Sequence, residues 1–228
     1  MSGTTHPRLV ILDVNETLSD MAPMADALHA VGAPPGSAQV WFAATLRDGF
    51  ALTAAGVNPT FVELAKDSLR LVLAPHLADP QKREEAVESV MAAFGSLHVH
   101  DDVPDGLRDL SEAGIRLVTL SNGPSAVAGA LLERAGVSDL LEDLLSVEDA
   151  PAWKPDPRAY EFALHQAGVA AEEAMLVAAH PWDVDGAARA GLRTAWVNRT
   201  GTTYPSSFRP ADVEVPSFAE LPMSLTAG

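Results

Sequence analysis

The sequence contains no cysteine. This absence excludes disulfides, thiolate-ligated zinc, iron–sulfur clusters and a cysteine nucleophile. Long apolar runs are absent as well, because no stretch approaches the roughly 18 residues of a membrane span. The first apolar run, residues 9–12, is too short for a signal peptide. We therefore expect a cytoplasmic protein without a membrane partner, since a chain lacking cysteine is compatible with a reducing compartment.

Positive charge is scarce. The 228 residues include 15 Lys and Arg against 31 Asp and Glu, which gives a formal net charge of −16. Such an acidic chain is a poor match for nucleic acid or anionic lipid, so we expect neither as a partner. An anionic small molecule would have to meet a local cationic pocket. The length fits one large domain, or a core domain with an insertion.

Four short runs rich in Val, Ile and Leu predict strands that are buried on both faces of a parallel sheet. They occupy residues 8–14, 115–120, 174–179 and 192–197, and a shorter strand-like piece follows at 213–215. Helical stretches closed by glycine precede two of them, at Gly114 and Gly191. This alternation predicts an α/β fold with a doubly wound, Rossmann-like parallel sheet.

The long stretch between the first two predicted strands has the pattern of helices. Asp79 and Pro80 form a helix start, and apolar residues at helical spacing follow up to Gly95. A second helix is predicted after Pro59. We interpret this insertion as a helical cap domain, residues 19–98, on an α/β core formed by residues 1–18 and 99–228.

Polar residues follow several of the predicted strands. Asp13, Ser121 and His180 stand at or just past three strand ends, and Lys154 lies in a proline-rich loop. Each segment alone is typical of an ordinary turn or of a solvated surface. Because ligands of open α/β sheets bind at the carboxyl ends of the strands, we expect the three strand-end residues to converge on one crevice.

The ordered set of strand aspartate, strand serine, loop lysine and second strand aspartate resembles the haloacid dehalogenase superfamily of aspartate-nucleophile hydrolases. The resemblance extends from Arg8 to about Thr200. It implies that Asp13 attacks the substrate and forms a covalent aspartyl ester. It also implies the roles of four further residues: hydrogen bonds from Thr17 and Ser121, positive charge beside the nucleophile from Lys154, and a water held or activated by Asp183.

Two positions help to distinguish the phosphatase branch of the superfamily from the others. Phosphatase members carry a second aspartate where this chain has Asn15, and an acidic residue where it has Ala179. A magnesium-dependent phosphatase stays open as an alternative, because Asp185 could join Asp13 and Asp183 as a metal ligand. A further alternative is a non-enzymatic binding protein that kept the fold and lost turnover.

The segments 154–160, 181–183 and 195–199 are similar to the L-2-haloacid dehalogenase branch. This resemblance implies hydrolysis of a carbon–halide bond in a small anionic organic acid, without metal or other cofactor, by an enzyme that can form a homodimer. The candidate substrate-binding residues are Asn15, Asn122, Tyr160, Arg47 and Phe42. Of these, Asn122 is a possible halide donor, and Arg47 is either a halide ligand or a solvated arginine on a helix surface.

His180 departs from that branch, because an asparagine usually stands at its position. An imidazole near Asp183 could act as a base in ester hydrolysis or could bind the substrate. Both roles stay open at this point.

Overall fold

The core of the computed structural model, which describes residues 6–226, is a six-stranded sheet in which every strand pairs in parallel. The strand order is β3-β2-β1-β4-β5-β6. The strands are β1 Leu9–Leu12, β2 Arg116–Ser121, β3 Asp143–Ser146, β4 Ala174–Ala178, β5 Arg193–Val197 and β6 Val213–Val215. The predicted doubly wound sheet is confirmed.

Strand β1 lies in the middle of the sheet and is inaccessible to solvent on both faces. Leu9 and Ile11 join the apolar cluster on one face, and Val10 and Leu12 join the cluster on the other. Helices cover both faces, so every side chain of the strand must be apolar. This explains why β1 appears in the sequence as a continuous apolar run.

Nine α-helices are found among residues 6–226. Four lie between β1 and β2 and form the cap: α1 Pro23–Ala30, α2 Ser37–Ala54, α3 Phe61–Leu73 and α4 Pro80–Gly95. The others belong to the core: α5 Val103–Glu112, α6 Ser125–Arg134, α7 Pro157–Ala167, α8 Pro181–Arg189 and α9 Leu221–Thr226. Within the described range, no helix is both long enough and apolar enough to cross a bilayer.

Local signals fix the starts of two cap helices. Thr60 and Glu63 form a capping box at the start of α3, and the Asp79 carboxylate accepts hydrogen bonds from two backbone N–H groups at the start of α4. Inside the cap, the Phe61 ring stacks on Phe94 at a centroid distance of 5.3 Å. Both predicted cap helices are therefore present.

Candidate active site

Three neighbouring strands of the sheet bring polar residues to one edge. Asp13 directly follows β1, Ser121 is the last residue of β2, and His180 lies two residues after β4. Because β1 lies between β2 and β4, the three residues emerge at adjacent positions. The structure thus forms the predicted crevice at the carboxyl ends of the strands.

Lys154 connects two carboxylates at the bottom of this crevice. Its side chain is fully buried, and Nζ donates to Asp13 Oδ1 at 2.8 Å and to Asp183 Oδ2 at 2.6 Å. The loop that carries Lys154 is held by the Asn122 side chain, which accepts from the Lys154 backbone N–H at 3.0 Å and donates to its carbonyl at 3.3 Å. Asn122 therefore positions the lysine loop, and both its amide oxygen and one of its N–H groups are engaged in doing so.

Burial and charge act against each other on these groups. Burial alone would raise the pKa of Asp13, but the Lys154 ammonium and a hydrogen bond from His180 outweigh it and hold that pKa well below its usual value. Burial would lower the pKa of Lys154, yet its two carboxylate partners raise it. Burial raises the pKa of Asp183. Asp13 is thus an ionised carboxylate and Lys154 a charged ammonium.

Two hydroxyl groups complete the surroundings of Asp13. Thr17 donates to Asp13 Oδ2 at 2.6 Å and accepts from the backbone N–H of Ala179 at 2.9 Å. Ser121 Oγ accepts from the Gly123 N–H at 2.9 Å. No bond within residues 6–226 takes up the Ser121 hydroxyl hydrogen, so it can donate to a ligand.

Tyr160 lies behind Asp183. Its hydroxyl is buried and donates to Asp183 Oδ1 at 2.6 Å. Burial, followed by the nearby Asp183 charge, raises the pKa of Tyr160 well above its usual value, so the hydroxyl stays protonated as a donor. The structure thus gives Tyr160 a role in holding Asp183, and not the contact with substrate that the sequence predicts.

His180 contacts two acidic side chains. Its Nδ1 lies 3.3 Å from Asp13 Oδ2, and its Nε2 lies 2.7 Å from Glu16 Oε2. Burial would lower the pKa of His180, but hydrogen bonds to both carboxylates raise it to about 9. The imidazole is therefore a cation at neutral pH. The sequence predicts the imidazole near Asp183, whereas the catalytic-site carboxylate that it contacts is Asp13.

A cavity of about 350 Å³ opens beside His180. Glu16, Phe42, Met24 and Trp196 contribute to its wall. The Phe42 ring lies 6.3 Å from the His180 ring, and Trp182 stacks against the same imidazole at 5.1 Å. Apolar side chains therefore share the cavity wall with charged ones, among them the His180 imidazolium and the Glu16 carboxylate.

Arg47 does not reach this cavity. Its side chain is 67% exposed and pairs with Asp48 at 2.8 Å, on a shallow groove of the cap lined by residues such as Pro34 and Leu71. The prediction of a halide ligand at Arg47 is wrong, because its guanidinium pairs with Asp48 and lines a groove that contains none of the other site residues. Asn15 is buried beside Gly123, with its backbone bridged to Ser19.

Glu16 is the site residue that the sequence analysis missed. The pattern around Asp13 contains it, but nothing in the sequence indicates a partner 164 positions further along the chain. Among residues 6–226, no group of three or more His, Asp or Glu side chains is arranged to hold a metal ion.

The sequence and the fold have counterparts among known proteins. The model of the haloacid dehalogenase-like hydrolase family matches residues 7–191, so the chain belongs to that family and is a hydrolase.

Individual relatives show which members of the family this chain is similar to. The chain is 30% identical to (S)-2-haloacid dehalogenase 4A of Burkholderia cepacia, over 94% of this chain and 93% of that protein. It is 33% identical to the (S)-2-haloacid dehalogenase of Pseudomonas sp. (strain YL), over 69% of this chain and 67% of that protein. A solved structure of a dehalogenase with an intermediate complex superposes with a TM-score of 0.87 at 29% identity, covering 95% of this chain and 96% of that one.

Proposed function

We propose that this protein hydrolyses the carbon–halogen bond of a small 2-haloacid through a covalent ester on Asp13. The single observation that carries the proposal is the placement of the Asp13 carboxylate, ionised by Lys154 at 2.8 Å and oriented by Thr17 at 2.6 Å. An oriented, ionised carboxylate at the carboxyl end of a strand is a nucleophile ready for displacement.

The first half of the reaction needs no acid. An Asp13 oxygen forms a bond to the carbon that bears the halogen, and the halide leaves with the bonding electron pair. A halide is stable without a proton, which agrees with the amide Asn15 at the position where phosphatases carry a second aspartate. The Ser121 hydroxyl is available to bind an anionic group of the substrate.

The second half restores the enzyme. A water oxygen attacks Asp13 Cγ, and the bond from Cγ to the ester oxygen breaks. That oxygen, which came from Asp13, leaves as the hydroxyl group of a 2-hydroxy acid. Asp13 returns as a carboxylate that carries one oxygen from the water. The overall reaction consumes one water and yields halide, hydroxy acid and one proton.

The donor set favours a reaction without a metal ion. The Lys154 ammonium lies between Asp13 and Asp183, the two carboxylates that a magnesium ion would bridge in the alternative phosphatase. Ala179 stands where that alternative needs an oxygen ligand, and Asp185 pairs with Arg189 at 2.8 Å.

Halide release from L-2-chloropropionate in the presence of a chelator tests the proposal. We expect turnover by the wild type, and a loss of more than about 10³-fold for Asp13→Asn. Absence of halide release, together with hydrolysis of an aryl phosphate that stops in chelator, would favour the phosphatase. Ligand binding with neither activity would favour the binding protein.

A further inference from the structure

Glu16 and His180 form a connected pair between the nucleophile and the cavity. Glu16 Oε2 accepts from His180 Nε2 at 2.7 Å, and the opposite ring nitrogen lies 3.3 Å from Asp13 Oδ2. Both residues line the cavity. The Phe42 and Trp182 rings lie 6.3 Å and 5.1 Å from the imidazole and restrict its rotation. A carboxylate that fixes an imidazole beside a reacting carboxyl group is an arrangement for proton transfer.

The backbone conformation of Glu16 indicates that this pair has a function. Its φ angle is 62°, in the left-handed region that is unfavourable for a residue with a side chain. It is the only residue other than glycine with a positive φ among those described. Such conformations persist where the surroundings hold them, and they concentrate at functional sites. Glycine would avoid the strain, but it would leave His180 without the carboxylate.

We propose that Glu16 and His180 act as a dyad that removes a proton from the water attacking the Asp13 ester, with His180 as the base and Glu16 as its positioning residue. This inference rests on the proposed function, because it assigns the second half of that reaction.

Asp183 is less suited to be this base. Its side chain is fully buried, with one oxygen accepting from Lys154 Nζ at 2.6 Å and the other from the Tyr160 hydroxyl at 2.6 Å. Water cannot reach it, and a proton on either oxygen would break one of these bonds. His180 Nδ1, in contrast, faces the Asp13 carboxyl group from the wall of the cavity.

Ester formation itself would switch His180 from acid to base. In the resting enzyme the imidazolium is held by the negative charges of Asp13 and Glu16. The ester cancels the Asp13 charge, so the pKa of His180 falls and its Nδ1 proton leaves through the cavity, which Asp20, His100 and Arg199 also line.

Protons and charges balance over the hydrolysis step. Water gives a proton to neutral His180 as its oxygen bonds to Asp13 Cγ. The departing hydroxy-acid oxygen then takes the proton of the newly formed Asp13 carboxylic acid. The step ends with the Asp13 carboxylate and the His180 imidazolium, which is the resting state. The proton released to solvent during ester formation is the net proton of the reaction.

A rapid-quench experiment on the full-length protein separates the two half-reactions. Halide and the mass of the Asp13 peptide are followed during the first turnovers of L-2-chloropropionate, for wild type, Glu16→Gln, Glu16→Gly and His180→Asn. Glu88→Gln is the matched control, because Glu88 is an exposed cap residue paired only with Lys66. Glu16→Gly also relieves the left-handed backbone, so a loss of activity in that variant cannot come from added strain.

For both Glu16 variants we expect a burst of one halide per site, followed by turnover slowed about 100-fold or more, with the substrate's 1-carboxyethyl group retained as an ester on the Asp13 peptide. His180→Asn should behave alike. The urea midpoint of Glu16→Gly should equal or exceed that of Glu16→Gln, because both variants lose the carboxylate and only glycine relieves the left-handed backbone.

Equal slowing of the burst and of later turnover, or turnover at the wild-type rate, would overturn the dyad while leaving the proposed function intact. If the wild type itself releases no halide and forms no adduct on Asp13, the proposed function fails and the dyad fails with it.

Discussion

At the scale of single residues, the site depends on charges that compensate one another in a buried place. Lys154 is fully buried, and only its contacts with Asp13 and Asp183 make that burial tolerable. His180 is likewise charged because Asp13 and Glu16 accept its two hydrogen bonds. Each cation therefore stabilises the fold and the ionised nucleophile together.

The pH dependence of stability should report the charge on His180. Its pKa is raised in the folded state from 6.5 to about 9, so its contribution to stability is complete below pH 6.5 and is lost as the pH rises through 9. We expect the free energy of unfolding of the wild type to fall on the order of 3 kcal/mol more than that of His180→Asn between pH 6.5 and about pH 9.5. Urea denaturation at the two pH values measures this. An equal fall in the free energy of unfolding of the two proteins between these pH values would contradict a charged His180.

At the scale of elements, helix α8 places Asp183 against the loop that carries Lys154, and this contact requires a glycine. A Cβ at Gly186 would lie 2.6 Å from Pro155 Cβ and 2.6 Å from the Tyr160 hydroxyl oxygen. It would also lie 3.1 Å from the Pro155 carbonyl oxygen, which is backbone and cannot yield easily. The tyrosine, the lysine loop and α8 are therefore packed as one unit.

Substitution of Gly186 by Ala should push helix α8 away from Tyr160 and from the loop that carries Lys154. We expect Gly186→Ala to lower the free energy of unfolding by about 1–3 kcal/mol and to reduce turnover, because the added methyl pushes the Tyr160 hydroxyl away from Asp183. Gly95→Ala at the end of α4 is the control, since nothing lies within 4 Å of the added atom. That variant should be neutral or slightly more stable. Chemical denaturation and halide release measure both effects, and equal behaviour of the two variants would refute this packing argument.

The elements differ in how far the sequence could predict them. Strand β1 was predictable, because burial on both faces demands four consecutive apolar residues. Strand β3 was missed. It lies at the edge of the sheet, and its first residue, Asp143, is exposed, so it has no continuous apolar run.

The site shows the same division. The convergence of Asp13, Ser121 and His180 could be predicted, because strand ends meet at one edge of a parallel sheet. The roles of Lys154 and Asp183 were implied only by the resemblance to the haloacid dehalogenase superfamily. The contact between Glu16 and His180 could not be predicted, because it depends on a left-handed residue and on a turn far away in sequence. The position of Arg47 on the outer side of α2 depends on how the cap is seated, which helical periodicity alone does not determine.

At the scale of the whole molecule, the cap is fastened to the core through the same loop that carries Lys154. The Asn58 amide, between α2 and α3, donates to the carbonyls of Val147 at 3.1 Å and Ala150 at 2.9 Å. Trp153 Nε1 donates to the Pro59 carbonyl at 2.9 Å. The cap position and the lysine position are therefore linked, and a closed cap helps to exclude water until the ester has formed.

Loss of the Asn58 amide should loosen the cap without altering the nucleophile. We expect Asn58→Ala to raise KM more than it lowers kcat, and to reduce the free energy of unfolding by about 1–3 kcal/mol, because two carbonyl groups lose their donor. Gln81→Ala, on the exposed first turn of α4, should change neither quantity. Steady-state kinetics and urea denaturation measure both. An unchanged KM in Asn58→Ala would show that the cap is held by other contacts.

The covalent ester on Asp13 is tested most directly by a single turnover in oxygen-18 water, with the enzyme in excess over L-2-chloropropionate. Mass analysis then locates the label. Hydrolysis at Asp13 Cγ predicts oxygen-18 in the peptide that contains Asp13, and ordinary oxygen in the lactate released. Label in the lactate, with an unlabelled Asp13 peptide, would mean that water attacks the substrate carbon directly, and it would contradict the account.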